Sequence, residues 1–454
     1  MLDREFSVLL DAFRRLIRRN AVPNLKKIIV KTHPADLARV FRNFTPAERD
    51  TVFGLIDDHR YKAEFLTELD EHIFIEILSN LEPAVIVTLL NEMALDDQAD
   101  IVAQLPEELE HAVLDLMDNK ESEGLEELLM YPPESAGGIM APLPLKVRED
   151  QTVQDAIKVI REDKKAEMLF YIYVVDEDDK LRGVLSIRHL LTVAPTTMLK
   201  DIMIKKVISI QPETDQEEVA RITSRYDFLA LPVVDNDGIL LGIVTVDDII
   251  DVIREEATED FLQMAGVGKD REILLKSPLQ ATRIRFPWLF ATFFGGLIVS
   301  LIVMNHQELI NQFILLAAFM PIVAGMGGNV GTQSSTIVVR GLATGRVNVK
   351  EIGKLLYGQV IIGLILGVVY GILIGVFALI FYHNQFDKIL YFGLTLGVSL
   401  TIAMLIAATT GTLIPLILNR FNIDPAVATG PIVTTTSDII GVFVYLTTAT
   451  IMLM

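Results

Sequence analysis

Asp438 lies near the middle of the last apolar segment, within GPIVTTTSDIIGVFVYL, residues 430–446. On insertion scales an aspartate at the centre of a membrane helix costs about 2.5–3.5 kcal/mol, so a chain that carries one usually uses its charge. A carboxylate there suits a cation. Thr434, Thr435 and Thr436 precede it, and their hydroxyls either line a wet path or bond back to the helix backbone. Carboxylates also gather in three polar stretches: LDDQAD (Asp96, Asp97, Asp100), VDDIID (Asp247, Asp248, Asp251) and EEATED (Glu255, Glu256, Glu259, Asp260). Without cysteine there are no disulfides and no thiolate metal sites, and hard oxygen donors remain. His33, His59 and His72 have no metal-ligand spacing and read as ordinary surface or core residues.

From Phe286 onward the chain is a series of apolar runs, each long enough to cross a hydrocarbon core of about 30 Å. The pattern predicts spans at 286–304, 313–337, 355–382, 389–418 and 427–453. Basic residues concentrate in the breaks at 338–354 and 419–426 and at Arg283 and Arg285, whereas the other two breaks carry only Lys388. The positive-inside rule then puts residues 1–285 in the cytoplasm and the C-terminus outside. Gly363, Gly367, Gly371 and Gly375 recur every four residues in the third span and predict close helix packing.

Of the 60 acidic and 40 basic residues, 55 and 34 lie in 1–285, a net charge of −21. This acidity argues against nucleic acid and anionic lipid surfaces as partners; it either serves solubility or recruits cations. The start, MLDREFSVLLDAFRRLIRR, is an amphipathic helix pattern rather than a signal peptide. Residues 1–130 read as helices with recurring starts at FTPAERD, LEPAVIV and LPEELEH, where proline suits the first turn. Stacked short helices of this kind predict a superhelical array.

YVVDEDDKLRGVLSIRHLL (173–191) and PVVDNDGILLGIVTVDDII (232–250) align without a gap at a spacing of 59 residues, each reading strand, acidic turn, strand, helix. The repeat resembles a tandem pair of cystathionine-β-synthase-type (CBS) domains, which often bind adenosine nucleotides between their halves. The resemblance makes Thr245 and Asp248 ligands for ribose and phosphate. The first copy departs from it, since Ser186 is followed by His189. One nucleotide site is expected rather than two. Beyond the repeat, IIDVIREEATEDFLQM keeps helical spacing through Met264 and is either an acidic connecting helix that transmits movement or a solvated linker.

The second span contains PIVAGMGGNVGTQSST, residues 321–336. No Gly-Lys-Ser/Thr ends it, so it is not a phosphate loop, and Val330 occupies the last glycine position of a dinucleotide fingerprint. Glycine-interrupted backbone at membrane depth is tolerated where it is buried by protein or lines a watery cavity. With the helical array, the CBS pair, the five spans and GPIVTTTSD, in this order, the whole chain resembles the MgtE family of magnesium transporters.

The resemblance implies a multidomain membrane protein: an all-α superhelical N-terminal domain (1–130), an α+β tandem CBS pair (131–258), an acidic connecting or plug helix (259–285) and a five-helix transmembrane pore domain (286–454). It implies a homodimer in the plasma membrane, with a pore on its two-fold axis lined by the second and fifth spans. Asp438 matches the family's pore aspartate and Asp424 a second acidic position at the cytosolic end, although Asp424 before Pro425 also reads as a helix N-cap. Magnesium demands octahedral oxygen coordination and gives up water reluctantly, so two Asp438 carboxylates suit a hydrated ion. Backbone carbonyls near Ala426 and Gly430 would accept further water hydrogens. Some family members carry asparagine where Gly430 stands, so no side-chain ligand is available there. Cytosolic magnesium ligands implied in the same way are Glu64, Asp96, Asp100, Asp247, Asp248, Asp251, Glu256, Glu259 and Asp260.

No Walker lysine and no nucleophile–base constellation is present, so neither an enzyme nor an ATP-driven pump is expected; Mg2+ is the expected ion and ATP a possible ligand. The rival readings are passage of another divalent ion such as cobalt or manganese, and a nucleotide-sensing membrane protein without transport.

Overall fold

The structure is a computed structural model that describes residues 3–142, 144–162, 170–268, 273, 276–344, 347, 352–383 and 389–454. Arg346, Lys350 and Lys388 of the inter-span breaks, and part of the 259–285 stretch, lie outside the described residues. The chain forms two compact units, residues 1–252 and 253–454.

The first unit begins with helices from α1 (Asp3–Arg18) to α10 (Asn119–Leu129). Their starts follow the sequence signals. Thr45 and Glu48 form a capping box ahead of Pro46 in α4 (Pro46–Gly54), and Pro83 opens α7 (Pro83–Leu90) at a position whose N–H has no helical partner. Pro106 sits one position earlier than expected, at the N-cap of α9 (Glu107–Leu114). Alternate helices touch: α1 packs on α3 (Pro34–Phe41), α3 on α5 (His59–Thr67), α5 on α7 and α7 on α9. That stacking is the superhelical array, and its core includes Phe41, Phe65, Leu66, Ile73 and Ile86.

The repeat folds into two three-stranded sheets, ordered β2 (Lys146–Arg148), β3 (Tyr171–Val175), β4 (Leu181–Ser186) and β1 (Ala141–Pro142), β6 (Leu240–Thr245), β5 (Ala230–Val234). The two hairpins match position by position. Asp176 Oδ1 accepts from the N–H groups of Asp178 and Lys180, and Asp235 Oδ1 from those of Asp237 and Ile239, at 2.8–3.0 Å. The following residue is left-handed in both turns, Asp179 with φ 62° and Gly238 with φ 83°, the region that aspartate and glycine tolerate best. The two turns also pair with each other, Leu181 N–H donating to Gly238 O and Leu240 N–H to Asp179 O.

α15 (Val246–Met264) leaves β6 and ends at Gly266 and Gly268, both with positive φ. Five helices of membrane-spanning length and hydropathy follow: α16 (Pro278–Asn305), α18 (Leu315–Ala343), α19 (Ile352–Tyr382), α20 (Ile389–Arg420) and, with its kinked start, Thr429–Leu453; α17 (Gln307–Gln312) is a short connector. α16 starts two turns before the apolar run because Ser277 and Gln280 form a capping box ahead of Pro278, so capping rather than hydropathy sets its start. The four glycines of α19 all face α20. A Cβ would fall 2.6 Å from Gly397 O at Gly371 and 2.9 Å from Gly393 O at Gly375, which only glycine avoids.

Candidate functional site

The fifth span opens with a defect. The chain kinks within Ala428–Ile432, where Gly430 has the non-helical φ −82° and ψ −118°, and the regular helix α21 (Val433–Leu453) begins beyond it. Thr434 Oγ1 donates to Gly430 O at 2.9 Å, which leaves that carbonyl one further lone pair. Asp438 follows one turn after Thr434 and faces the glycine stretch of α18. A Cβ on Gly328 would lie 3.6 Å from Asp438 Oδ1, and one on Gly331 would lie 2.6 Å from Ser437 Oγ. The glycines of the second span therefore bring backbone against the carboxylate.

Asp438 is half-buried, and among the described residues its carboxylate meets no hydrogen-bond donor or ion-pair partner. Thr434 bonds to Gly430, while the hydroxyls of Thr435 and Ser437 are buried and unpartnered. Around it Ser335 Oγ donates to Thr429 Oγ1 at 3.1 Å and Ser334 Oγ to Gln359 Oε1 at 3.1 Å, joining three spans through polar contacts that the sequence reading passed over. A carboxylate at this depth without a donor among the described residues suits a cation from outside the chain.

A second carboxylate group forms at the open end of the same kink. Asp424 Oδ1 accepts from Ala426 N–H at 2.8 Å, an N-cap geometry that leaves the other oxygen uncommitted to that cap. Asp260 on α15 lies near Asp424, Glu256 and Arg340; burial first, then the two acids, push its carboxyl up to about 6, against the pull of Arg340. Glu259 is buried and accepts from Gln263 Nε2 at 2.9 Å, while Gln263 Oε1 is buried without a partner. The end of α15 presses on the kink: a Cβ on Gly430 would meet Met264 O at 2.9 Å, and one on Gly266 would meet Pro431. The sequence reading used Arg340 only as a basic residue of an inter-span break and passed over Gln263; an arginine closing an apolar run was the available signal for a further role of the first.

In the first unit Thr245 Oγ1 donates to Asp248 Oδ2 at 2.5 Å. Burial pushes the Asp248 carboxyl up to about 7, with Asp96 and Asp247 adding to it and Thr245 opposing. Asp96 reaches this point because α8 (Leu95–Ala103) packs against β1, the strand beside β6. In the first copy Ser186 Oγ accepts from His189 N–H at 3.2 Å and caps α12 (Ile187–Thr192), with no carboxylate. Glu64 pairs instead with Arg60 at 3.5 Å, and Asp100 and Asp251 are exposed. Among the described residues no three histidine or carboxylate side chains come close enough to hold a metal ion by themselves.

A family model for the MgtE intracellular N domain matches residues 32–134, one for CBS domains matches 136–195 and 199–255, and a divalent cation transporter model, MgtE, matches 320–448. The magnesium transporter MgtE of Bacillus subtilis is 35% identical over 438 residues, covering 96% of this chain and 95% of that protein. The chain belongs to the MgtE family. A second MgtE magnesium transporter, from Thermus thermophilus, is 34% identical over 439 residues, covering 94% of this chain and 95% of that protein. The cytosolic domain of the Mg2+ channel MgtE, crystallised in complex with ATP, is 36% identical and superposes with a TM-score of 0.51 over 54% of this chain and 99% of that one. The soluble part of a magnesium transporter matches with 30% identity and a TM-score of 0.50, over 56% of this chain and 99% of that one.

Proposed function

We propose that this MgtE-family protein is a magnesium-selective, channel-like transporter of the plasma membrane, working as a homodimer with its N-terminus in the cytoplasm and its C-terminus outside. One observation carries the reading: the Asp438 carboxylate lies against the glycine backbone of α18 and receives no donor among the described residues. Two copies about a two-fold axis would bring two such carboxylates to one ion. Magnesium holds its water shell tightly, so the carboxylates would accept hydrogen bonds from the bound waters, with the carbonyls of Ala426 and Gly430 taking others.

Within this reading residues 1–130 form the N domain, 131–258 the CBS pair, 259–285 the plug element and 286–454 the pore. Cytosolic magnesium closes the pore. Asp424 with Glu256, Glu259 and Asp260 would bind it beside the kink, and Glu64, Asp96, Asp100, Asp247, Asp248 and Asp251 would bind it in the soluble unit, each set completed by carboxylates of another domain or of the second copy. Binding then favours the closed arrangement by its differential affinity for that state. Thr245 and Asp248 would hold the ribose and phosphate of ATP.

Flux into liposomes tests the core of the proposal. The wild-type protein should admit magnesium down its gradient, and Asp438→Ala should not, while remaining inserted and dimeric. Uptake that survives in that variant sinks the pore assignment. Oxygen donors alone do not separate magnesium from other hard divalent ions, which is the second reading, so cobalt and manganese belong in the same assay.

A further inference from the structure

The first two helices carry charge opposite to the rest of the soluble part. Residues 1–31 hold eight basic side chains against three acidic, whereas residues 32–285 hold 26 against 52. The family N-domain match begins at residue 32, so this basic portion precedes it. α1 and α2 (Val22–Lys31) pack together, and Arg15 and Arg18 of α1, Arg19 just after it, and Lys27 and Lys31 of α2 are all exposed. Among the described residues none of these five side chains forms a hydrogen bond or an ion pair. Their neighbours are engaged inside the unit: Arg14 Nη2 donates to Asn43 O at 3.0 Å, and Lys26 pairs with Asp57 at 2.5 Å. One large apolar side chain stands exposed next to Lys27 and Lys31 on α2, Val30 at 78%.

We propose that the α1–α2 face docks on anionic phospholipid headgroups of the leaflet that faces the soluble unit. Charge complementarity favours this occupant. Several cations without a partner among the described residues, with the exposed Val30 next to two of them, match a surface that is anionic outside and apolar just beneath. The five span-length helices of the same chain tether such a face to a bilayer. The basic residues Arg283, Arg285, Arg340 and Arg420 belong to the same side of the membrane by the alternation of spans, so that leaflet already faces cationic protein. Lipid charge would then be one determinant of how the soluble unit is held, independently of which ion the pore passes.

The absence of cysteine permits a single label at Val30→Cys in the full chain. With magnesium chelated, the labelled protein is placed in nanodiscs of phosphatidylcholine alone or with phosphatidylglycerol, and quenching by neutral acrylamide is measured. Quenching should fall about threefold in the anionic discs at ~0.1 M salt and recover near 1 M, where screening shortens to about 3 Å. Adding R15Q, R18Q, K27Q and K31Q should abolish the fall. Equal quenching in both lipids overturns the proposal. So does equal protection in neutral discs and detergent, which would place the face on protein, such as the acidic surface of a second copy. If the fourfold variant loses helix content, the comparison of lipids and salt in the Val30→Cys protein still decides.

Discussion

Asp248 receives a hydrogen bond from Thr245 at 2.5 Å within the first unit, whereas Asp438, also half-buried, lies against glycine in a span-length apolar helix and receives none among the described residues. Both carboxylates are costly to bury charged, and each region meets the cost differently. In the soluble unit a hydroxyl holds the carboxyl and burial raises its pKa to about 7, so the group is largely protonated in mildly acidic solution. In the membrane unit small residues on α18 clear space around the carboxylate without supplying donors. The first arrangement fixes the side chain through a neighbouring hydroxyl. The second leaves a charge available to whatever enters.

The comparison breaks most visibly at Asp438. Asp438→Asn should reduce magnesium flux by roughly a hundredfold, the scale expected when a desolvated charge loses its partner. The same change removes an insertion cost of about 2.5–3.5 kcal/mol, so the thermal midpoint in detergent should hold or rise. Loss of flux together with loss of folding would instead assign Asp438 to packing.

Asp248→Asn should weaken ATP binding by a factor of about thirty, from the loss of a charge-assisted hydrogen bond worth roughly 2 kcal/mol. Calorimetry on the soluble fragment 1–252, which has its own apolar core, measures this. Unchanged affinity would make the Thr245–Asp248 pair a local brace.

The two carboxylates also separate by pH. Asp248 titrates near 7 when folded, against an ordinary value of 3.8, so the folded state holds a proton that the unfolded chain releases between about pH 4 and 7. Its contribution to stability therefore falls as pH rises through that window and is level above it. Asp248→Asn should remove the slope and gain on the order of 4 kcal/mol relative to wild type between pH 4 and 8, read from denaturant midpoints of the fragment. A parallel pH course for the two proteins would contradict the buried setting.

The smallest effect is expected at the kink. Gly430→Ala places a methyl 2.9 Å from Met264 O and should push the end of α15 away from Pro431. A leak of a few-fold at high cytosolic magnesium is predicted, because a displaced α15 closes less completely. Flux in liposomes loaded with magnesium checks it, and an unchanged leak would remove α15 from the gate.

The elements were largely legible because their causes are local. Apolar runs long enough for a bilayer appear in the sequence, as do prolines that open helices and acidic turns repeated at a spacing of 59 residues. Helix ends were less so: α16 begins at Pro278 and α18 continues to Ala343, since capping and hydrogen bonding carry a helix past the edge of its apolar run. Asp438 stood out alone, since a charge in an apolar segment needs no partner to be noticed.

What the chain by itself determined was thus the kind and order of its parts, the repeat and the residues that are expensive where they stand. The tertiary structure decided which of those residues meet. Gly328 lies beside Asp438 across 110 positions, Asp260 near Asp424 across 164, and Asp96 near Asp248 across 152. Such pairings depend on which helix faces pack and how closely glycine lets two backbones approach, and no local pattern encodes that geometry.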